Sequence, residues 1–450
     1  MENSNGQVKM KRALGFWSTY FAVFGCMLSG TAMVALGNVA GYGGSSVWLP
    51  ALIAVIPMLA VALAYSELVS MVPGGGMVFE YTMPALGRFW AIFATLAGYL
   101  LLVTADGGIH LAGISLYGKI EALASIIMCT IFAILGIIGA FGLGAGEQVN
   151  TLTPLQPENG WATVVGQAGA AIWWFIGFEF VCPTAEENKR PHKNIPRALI
   201  FGVITIVLFD LLFAYASVRY TDLDVLMTST TPHIATARAL IGPLGWVCMT
   251  VITLCAAFTS VMVHLVALPR LLYGLAYKDC APKIFMYLHP KFRTPWVGIF
   301  FTSGLILVTL IYIQLNGADV NVILGLVNIA SVTWMCSYGI ALIDVLVLRR
   351  RYPDYPRLTR FPGMPAFMCI GLVGLAYCIW TLRSSWLYAG VALVLIAVYC
   401  VLWLRHKKLS LFEPQPLEDM VSTLMARAEP YPEWDQAVTA WLKQREQAHV

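Results

Sequence analysis

The chain has 450 residues, 59% of them apolar and 12% charged, with a formal net charge of +4. A soluble domain carries about 25% charged residues, so this composition excludes an ordinary soluble enzyme or binding module and indicates a polytopic membrane protein. The small positive balance lies in connecting segments and bears on topology rather than on nucleic acid.

Taken in order, the N-terminus from Met1 to Arg12 is polar and basic, and no small-residue cleavage site follows the first apolar run, so no cleaved signal peptide is expected. Eleven apolar segments approach the ~20 residues that span a ~30 Å hydrocarbon core as helix. They lie near 16–41, 47–66, 88–105, 120–143, 162–182, 197–218, 244–268, 296–315, 321–348, 364–383 and 385–404. The predicted fold is an all-α membrane bundle in the lipid bilayer. Cys26, Cys129, Cys255 and Cys369 fall inside these runs without metal-ligand spacing and read as small buried hydrophobes.

Basic residues orient the bundle. Lys9, Lys11 and Arg12 place the N-terminus in the cytoplasm, as do the clusters Lys189–Arg197, Lys278–Arg293 and Arg349–Arg351 for their loops. The loops at 144–160 and 316–320 contain no Lys or Arg. Alternation is clean from the fourth segment onward and ends inside with Arg405, Lys407 and Lys408. The front half breaks this parity, because both Arg88 and Lys119 should lie inside. Residues 88–118 must then make no net crossing, and they are too few for two helices of ~20 residues each. Two arrangements satisfy the count: a re-entrant or broken segment near Asp106–Gly108, or a front half inverted relative to the back.

The tail from Leu409 onward is polar. Trp434, Val438 and Trp441 share one helical face, which predicts an amphipathic helix over 433–446 docked on the cytoplasmic side of the bundle.

The most informative stretch is Trp173–Pro183, an apolar span with Gly177 and the ionisable Glu179 at its centre, followed by the polar Thr184–Arg197. A carboxylate in hydrocarbon costs at least a few kcal/mol and marks a cavity or a partner. Gly and Pro in a spanning helix free backbone groups for other use. The alternative is a kinked packing helix whose Glu meets a neighbour.

Three blocks together resemble the amino acid–polyamine–organocation (APC) transporter superfamily. The first is Ala64–Leu68 with Pro73–Gly76, Glu80-Tyr81 and Ala85–Arg88. The second is Gly177-Phe178-Glu179 with Glu186–Pro191 and Ile195-Pro196-Arg197. The third is Pro269–Ala276 with Pro282, His289-Pro290 and Thr294-Pro295. The similarity covers roughly residues 13–405.

It implies two inverted five-helix repeats, about 13–160 and 161–350, plus two further helices within about 364–405. The first helix of each repeat is broken at mid-membrane, at Gly25–Ala32 and at Trp173–Glu179. Cytoplasmic tails of 1–12 and 409–450 flank this transporter domain. Helix ends at such breaks favour a zwitterion's two charges. Carried over, Ser29, Gly30 and Thr31 hold a carboxylate, Trp174, Phe175 and Gly177 lie at the amine end with Phe178, and Trp173 is a lid. Glu179 is a gating or proton-linked carboxylate, with a structural role as the alternative. Thr259, Ser260 and His264 fall where an ion or its neighbouring shell would sit. His264 reads first as a satisfied bundle histidine and second as a proton relay.

Two departures stand out. The first break reads Ser29-Gly30-Thr31 where the family usually has Gly-Ser-Gly, and most of the family's fourth helix is missing. The implied activity is secondary transport of an amino acid or amine across the plasma membrane by alternating access, as symporter or antiporter with H+ or Na+. A non-transporting sensor is the alternative. No nucleophile–base set, nucleotide loop or metal cluster is present, so neither an enzyme activity nor a cofactor is assigned.

Overall fold

The computed structural model describes residues 12–100, 114–289, 294–427 and 431–448. Within them every regular element is helical. The sole bridge-type pairing among these residues is Leu14 with Asn188. The chain runs through α1 (Phe16–Met27), α2 (Gly30–Gly43), α3 (Trp48–Met71), α4 (Met77–Leu86), α5 (Arg88–Thr95, continued by a π turn Leu96–Leu100) and α6 (Ile114–Ala140). Next come α7 (Gly160–Gly166), α8 (Ala168–Ala171), 3-10 turns at Ile172–Trp174 and Phe178–Glu187, α9 (Pro191–Tyr220), α10 (Leu223–Thr228), α11 (Pro232–Ile241) and α12 (Pro243–Tyr277). The remainder is α13 (Trp296–Leu315), α14 (Val320–Arg351), α15 (Met364–Thr381), α16 (Trp386–His406), α17 (Leu417–Arg427) and α18 (Pro432–Ala448).

Local chemistry sets the boundaries. Pro191, Pro232 and Pro243 each open a helix at its first position, where a missing N–H costs nothing. Asp222 and Asp319 cap α10 and α14 through their side chains. Among the described residues nine helices are long and apolar enough to span, or ten if α1 and α2 count as one span bent by 58°. Of the eleven expected segments, the third (88–105) is described only as far as Leu100.

Polarity is arranged for a membrane. α13, α15 and α16 turn apolar side chains outward, among them Leu307, Val308, Val373 and Leu387. α1, α2, α3, the Phe178–Glu187 turn and α14 form the buried centre. α6 packs on α9 and α12, and α1 lies against α6 and α9.

One end of the bundle collects the basic residues. There Glu67 of α3, 1% exposed, takes a fork from Arg349 (Nε to Oε1 2.8 Å, Nη2 to Oε2 2.6 Å) and a third bond from Arg357 Nε at 3.1 Å. This clamp joins the front and back halves. At the same end Arg351 Nη1 donates to Pro84 O at 2.7 Å, and Tyr355 Oη donates to Met71 O at 2.7 Å. The ends of α3 and α4 therefore share an end with α14's arginines, which excludes the inverted front half.

Arg88 also lies there, bonded to Ser410 Oγ at 2.9 Å. α6 terminates at the opposite end, where Gly144 N donates to Tyr220 Oη at the close of α9. The expected break at Asp106–Gly108 lies outside the described residues.

After α16 the tail returns across the basic end, with Phe89 N donating to Leu411 O (2.8 Å) and Gln415 N to Met83 O (3.1 Å). Gly87 is required for this: its φ is +88°, and a Cβ would lie 2.7 Å from the Phe412 carbonyl carbon.

Candidate functional site

α1 stops because Leu28 leaves helical geometry and Ser29 starts a new helix. Ser29 is extended, and its Oγ accepts from Ala32 N at 3.1 Å as an N-cap. Gly30 and Thr31 form the first turn of α2, where the helix dipole adds partial positive charge. The last carbonyls of α1 face the other way. One of them, Gly25 O, accepts from Thr259 Oγ1 of α12 at 3.1 Å.

The second interruption follows α8. The chain tightens into a 3-10 turn at Ile172–Trp174, and Gly177 then takes φ +105° before the Phe178–Glu187 turn. That left-handed backbone favours Gly. Space excludes anything larger as well, since a Cβ at Gly177 would lie 2.8 Å from Cys26 Sγ. The two breaks therefore touch. They meet again where Trp173 Nε1 donates to Thr31 Oγ1 at 3.2 Å, with Ser29 Oγ 3.1 Å from the same hydroxyl. Trp173, Trp174, Phe175 and Phe178 are all buried, and the Trp174 indole N–H has no acceptor among the described residues.

Glu179 follows directly and is fully buried. Its Oε2 accepts from Tyr338 Oη at 2.7 Å, and its Oε1 from Trp334 Nε1 at 2.9 Å and Tyr99 Oη at 3.4 Å. Tyr65 Oη lies 3.2 Å from Tyr99 Oη and extends the chain of hydroxyls. Trp334 and Tyr338 stand one turn apart on α14 and so present the same face. These three side-chain donors are all neutral, so a proton can be gained or lost there without breaking an ion pair.

The remaining expected residues fall beside this centre. Thr259 ties α12 to the first break. Ser260 is buried next to it, and its carbonyl lies 2.6 Å from His264 Nδ1. The His264 ring meets Phe180 edge-on, with centroids 5.1 Å apart. The structure thus brings Ser29, Thr31, Trp173 and Gly177 into one place and sets Glu179 against α14. Sequence reasoning missed Tyr99, Trp334, Tyr338 and Tyr65. Polar-tipped aromatics spaced i, i+4 in a spanning segment were the available signal.

Both exits are closed. At the basic end Glu187 pairs with Arg270 at 2.9 Å, Glu186 accepts from Gly75 N at 2.9 Å, and Arg12 donates to Ala185 O and Asn188 O. Ala13 N and Leu14 N both donate to Glu187 O. At the other end Glu158 takes Ser45 Oγ at 2.7 Å and Ser45 N, and Trp48 Nε1 donates to Pro154 O. The arrangement holds offset donors and carbonyls in a buried centre closed at both ends, which suits a small zwitterion.

A profile of the amino acid permease family matches residues 95–405. A branched-chain amino acid permease of Bacillus subtilis (strain 168) is 23% identical, over 90% of this chain and 96% of that protein. From the same organism, a serine/threonine exchanger is 22% identical, over 81% of this chain and 90% of its own length. A glutamate/serine transporter is 24% identical, over 87% and 80% respectively.

Proposed function

The chain belongs to the amino acid permease family, and from that premise we propose that its two touching helix breaks hold an amino acid by both of its charges. The protein is a multi-pass membrane transporter of amino acids. In the proposed site Ser29, Gly30 and Thr31, at the positive end of α2, hold the carboxylate. The ammonium faces the backbone carbonyls of Trp174, Phe175 and Gly177. The unpartnered Trp174 N–H supplies one further donor, and Trp173 closes the site by its bond to Thr31. Cys26, Met27, Leu28, Trp173 and Phe178 surround the breaks, which favours a neutral side chain over a charged one. No covalent step is involved.

The coupling ion in this reading is a proton on Glu179. The basic end is cytoplasmic by the positive-inside rule, which puts both termini inside the plasma membrane and makes the Glu187–Arg270 seal the inner gate. We also infer that most of the family's fourth helix is missing, since only thirteen residues separate Leu100 from Ile114, too few for a further ~20-residue crossing.

The observation that carries the proposal is the contact between the breaks, Gly177 against Cys26 and Trp173 against Thr31. Uptake of labelled neutral amino acids by proteoliposomes tests it, with and without a pH gradient and with sodium replaced by choline. Saturable uptake driven by the proton gradient and indifferent to sodium is expected. Absence of uptake for every amino acid class would sink it.

A further inference from the structure

The tail does more than cover the basic end. α18 opens with Pro432 at its first position, Glu433 and Asp435 in its first turn, and Asp435 Oδ2 accepting from Tyr431 N at 2.7 Å. It buries Trp434, Val438 and Trp441.

One set of contacts reaches the scaffold. Trp434 Nε1 donates to Met71 O at 3.0 Å, the same carbonyl that Tyr355 uses, and the Trp441 ring packs on Tyr355 with centroids 4.9 Å apart. Arg445 lies over Tyr352 and Trp441 and pairs with Glu418.

The other set reaches the gate. Tyr431 Oη bonds His192 Nδ1, and Glu433 Oε2 lies 2.9 Å from His192 Nε2 and 3.6 Å from Lys193 Nζ. The Arg12 guanidinium sits over the Tyr431 ring at 5.2 Å while donating to Ala185 O and Asn188 O. Burial, with the Glu433 carboxylate beside it, pushes the Tyr431 hydroxyl's pKa up and keeps it a neutral donor.

The tail therefore grips both sides of the inner seal. Opening the site toward the basic end must part the Arg12–Leu14 segment from residues 185–189. That motion must either pull Arg12 from Tyr431 or lift the tail from Met71. We propose that residues 409–427 and 431–448 form an autoinhibitory clamp on the inner gate, and that undocking of α18 precedes inward opening. The proposal rests on the transport reading for which side opens, but its first readout needs no substrate.

Amide hydrogen exchange on the full-length protein in nanodiscs, comparing wild type with Trp434→Ala/Trp441→Ala, tests the clamp. Amides of 183–190 should exchange about tenfold faster together with those of α18, and exchange transport should quicken several-fold. Released α18 amides with unchanged protection at 183–190 overturn the proposal. Unchanged α18 amides overturn it too, because the docking would then owe nothing to these two rings. If the double variant fails to fold, Tyr431→Phe/Glu433→Gln cuts only the gate-side contacts and is read in the same way. Failure of transport with faster gate exchange would count against the proposed function and leave the clamp standing.

Discussion

Trp173 and Thr31, 142 residues apart, are joined by an indole N–H donated to a hydroxyl at 3.2 Å, and that bond ties the two interrupted helices together over the centre of the protein. The Thr31 hydroxyl also meets Ser29 Oγ at 3.1 Å. Trp173→Phe keeps most of the ring and Thr31→Val keeps the branching, so each removes the bond with little change in packing. A neutral hydrogen bond contributes about 0.5–1.5 kcal/mol. Either substitution should therefore weaken apparent affinity about 2- to 12-fold. The double variant should be no worse than the poorer single one, the coupling of a shared contact. Fully additive losses in apparent KM would show that the pair does not act together.

Glu179 accepts from three neutral side-chain donors, Tyr338, Trp334 and Tyr99. Glu179→Gln preserves size and hydrogen bonding but fixes the protonation state. Wild-type uptake should rise as the outside pH falls, and the Gln variant should lose that dependence between about pH 5 and 8 while still exchanging substrate. An unchanged profile in the variant would reduce Glu179 to a structural residue.

The Glu67 clamp predicts a stability effect away from the site. Glu67→Ala would leave Arg349 and Arg357 facing each other where the carboxylate now neutralises them, at a cost of about 3–5 kcal/mol. Thermal unfolding in detergent should shift down clearly, while substrate affinity of the folded fraction holds within a few-fold. An unshifted unfolding midpoint would mean that the fork contributes nothing net.

Span positions were legible because hydrocarbon demands long apolar runs, and the breaks because Ser29-Gly30 and Gly177 punctuate such runs. Charge parity flagged residues 88–118, and the shared end of Pro84 and Arg351 then removed one of the two arrangements it allowed. What covers Glu179 was not legible. Trp334 and Tyr338 lie 155 and 159 residues away in a segment whose aromatic content fits lipid-facing or core roles equally well. Glu67 was visible only as part of a motif, since its partners Arg349 and Arg357 are 282 and 290 residues distant, and Arg349 read as a topology charge. The α18 face was visible from Trp434, Val438 and Trp441, but its grip on Met71 depends on a backbone carbonyl that no side-chain pattern reports.

Topology gives a direct check on the front half. On a cysteine-free background, Lys119→Cys and Lys278→Cys should label from the cytoplasm and Glu147→Cys from outside. Labelling of position 119 from outside would place a full crossing between Arg88 and α6 and undo the shortened-scaffold reading.

The contact between the breaks is tested most directly by equilibrium binding of a neutral amino acid to purified Gly177→Ala. A Cβ there lies 2.8 Å from Cys26 Sγ on a backbone at φ +105°, a strain of about 1–3 kcal/mol that must be relieved by moving one break from the other. Binding should weaken by at least about fivefold in the folded variant, and Gly177→Ala/Cys26→Ala, which removes the sulfur, should recover part of it. Wild-type affinity in Gly177→Ala, with the fold intact, would contradict a site formed where the two broken helices meet.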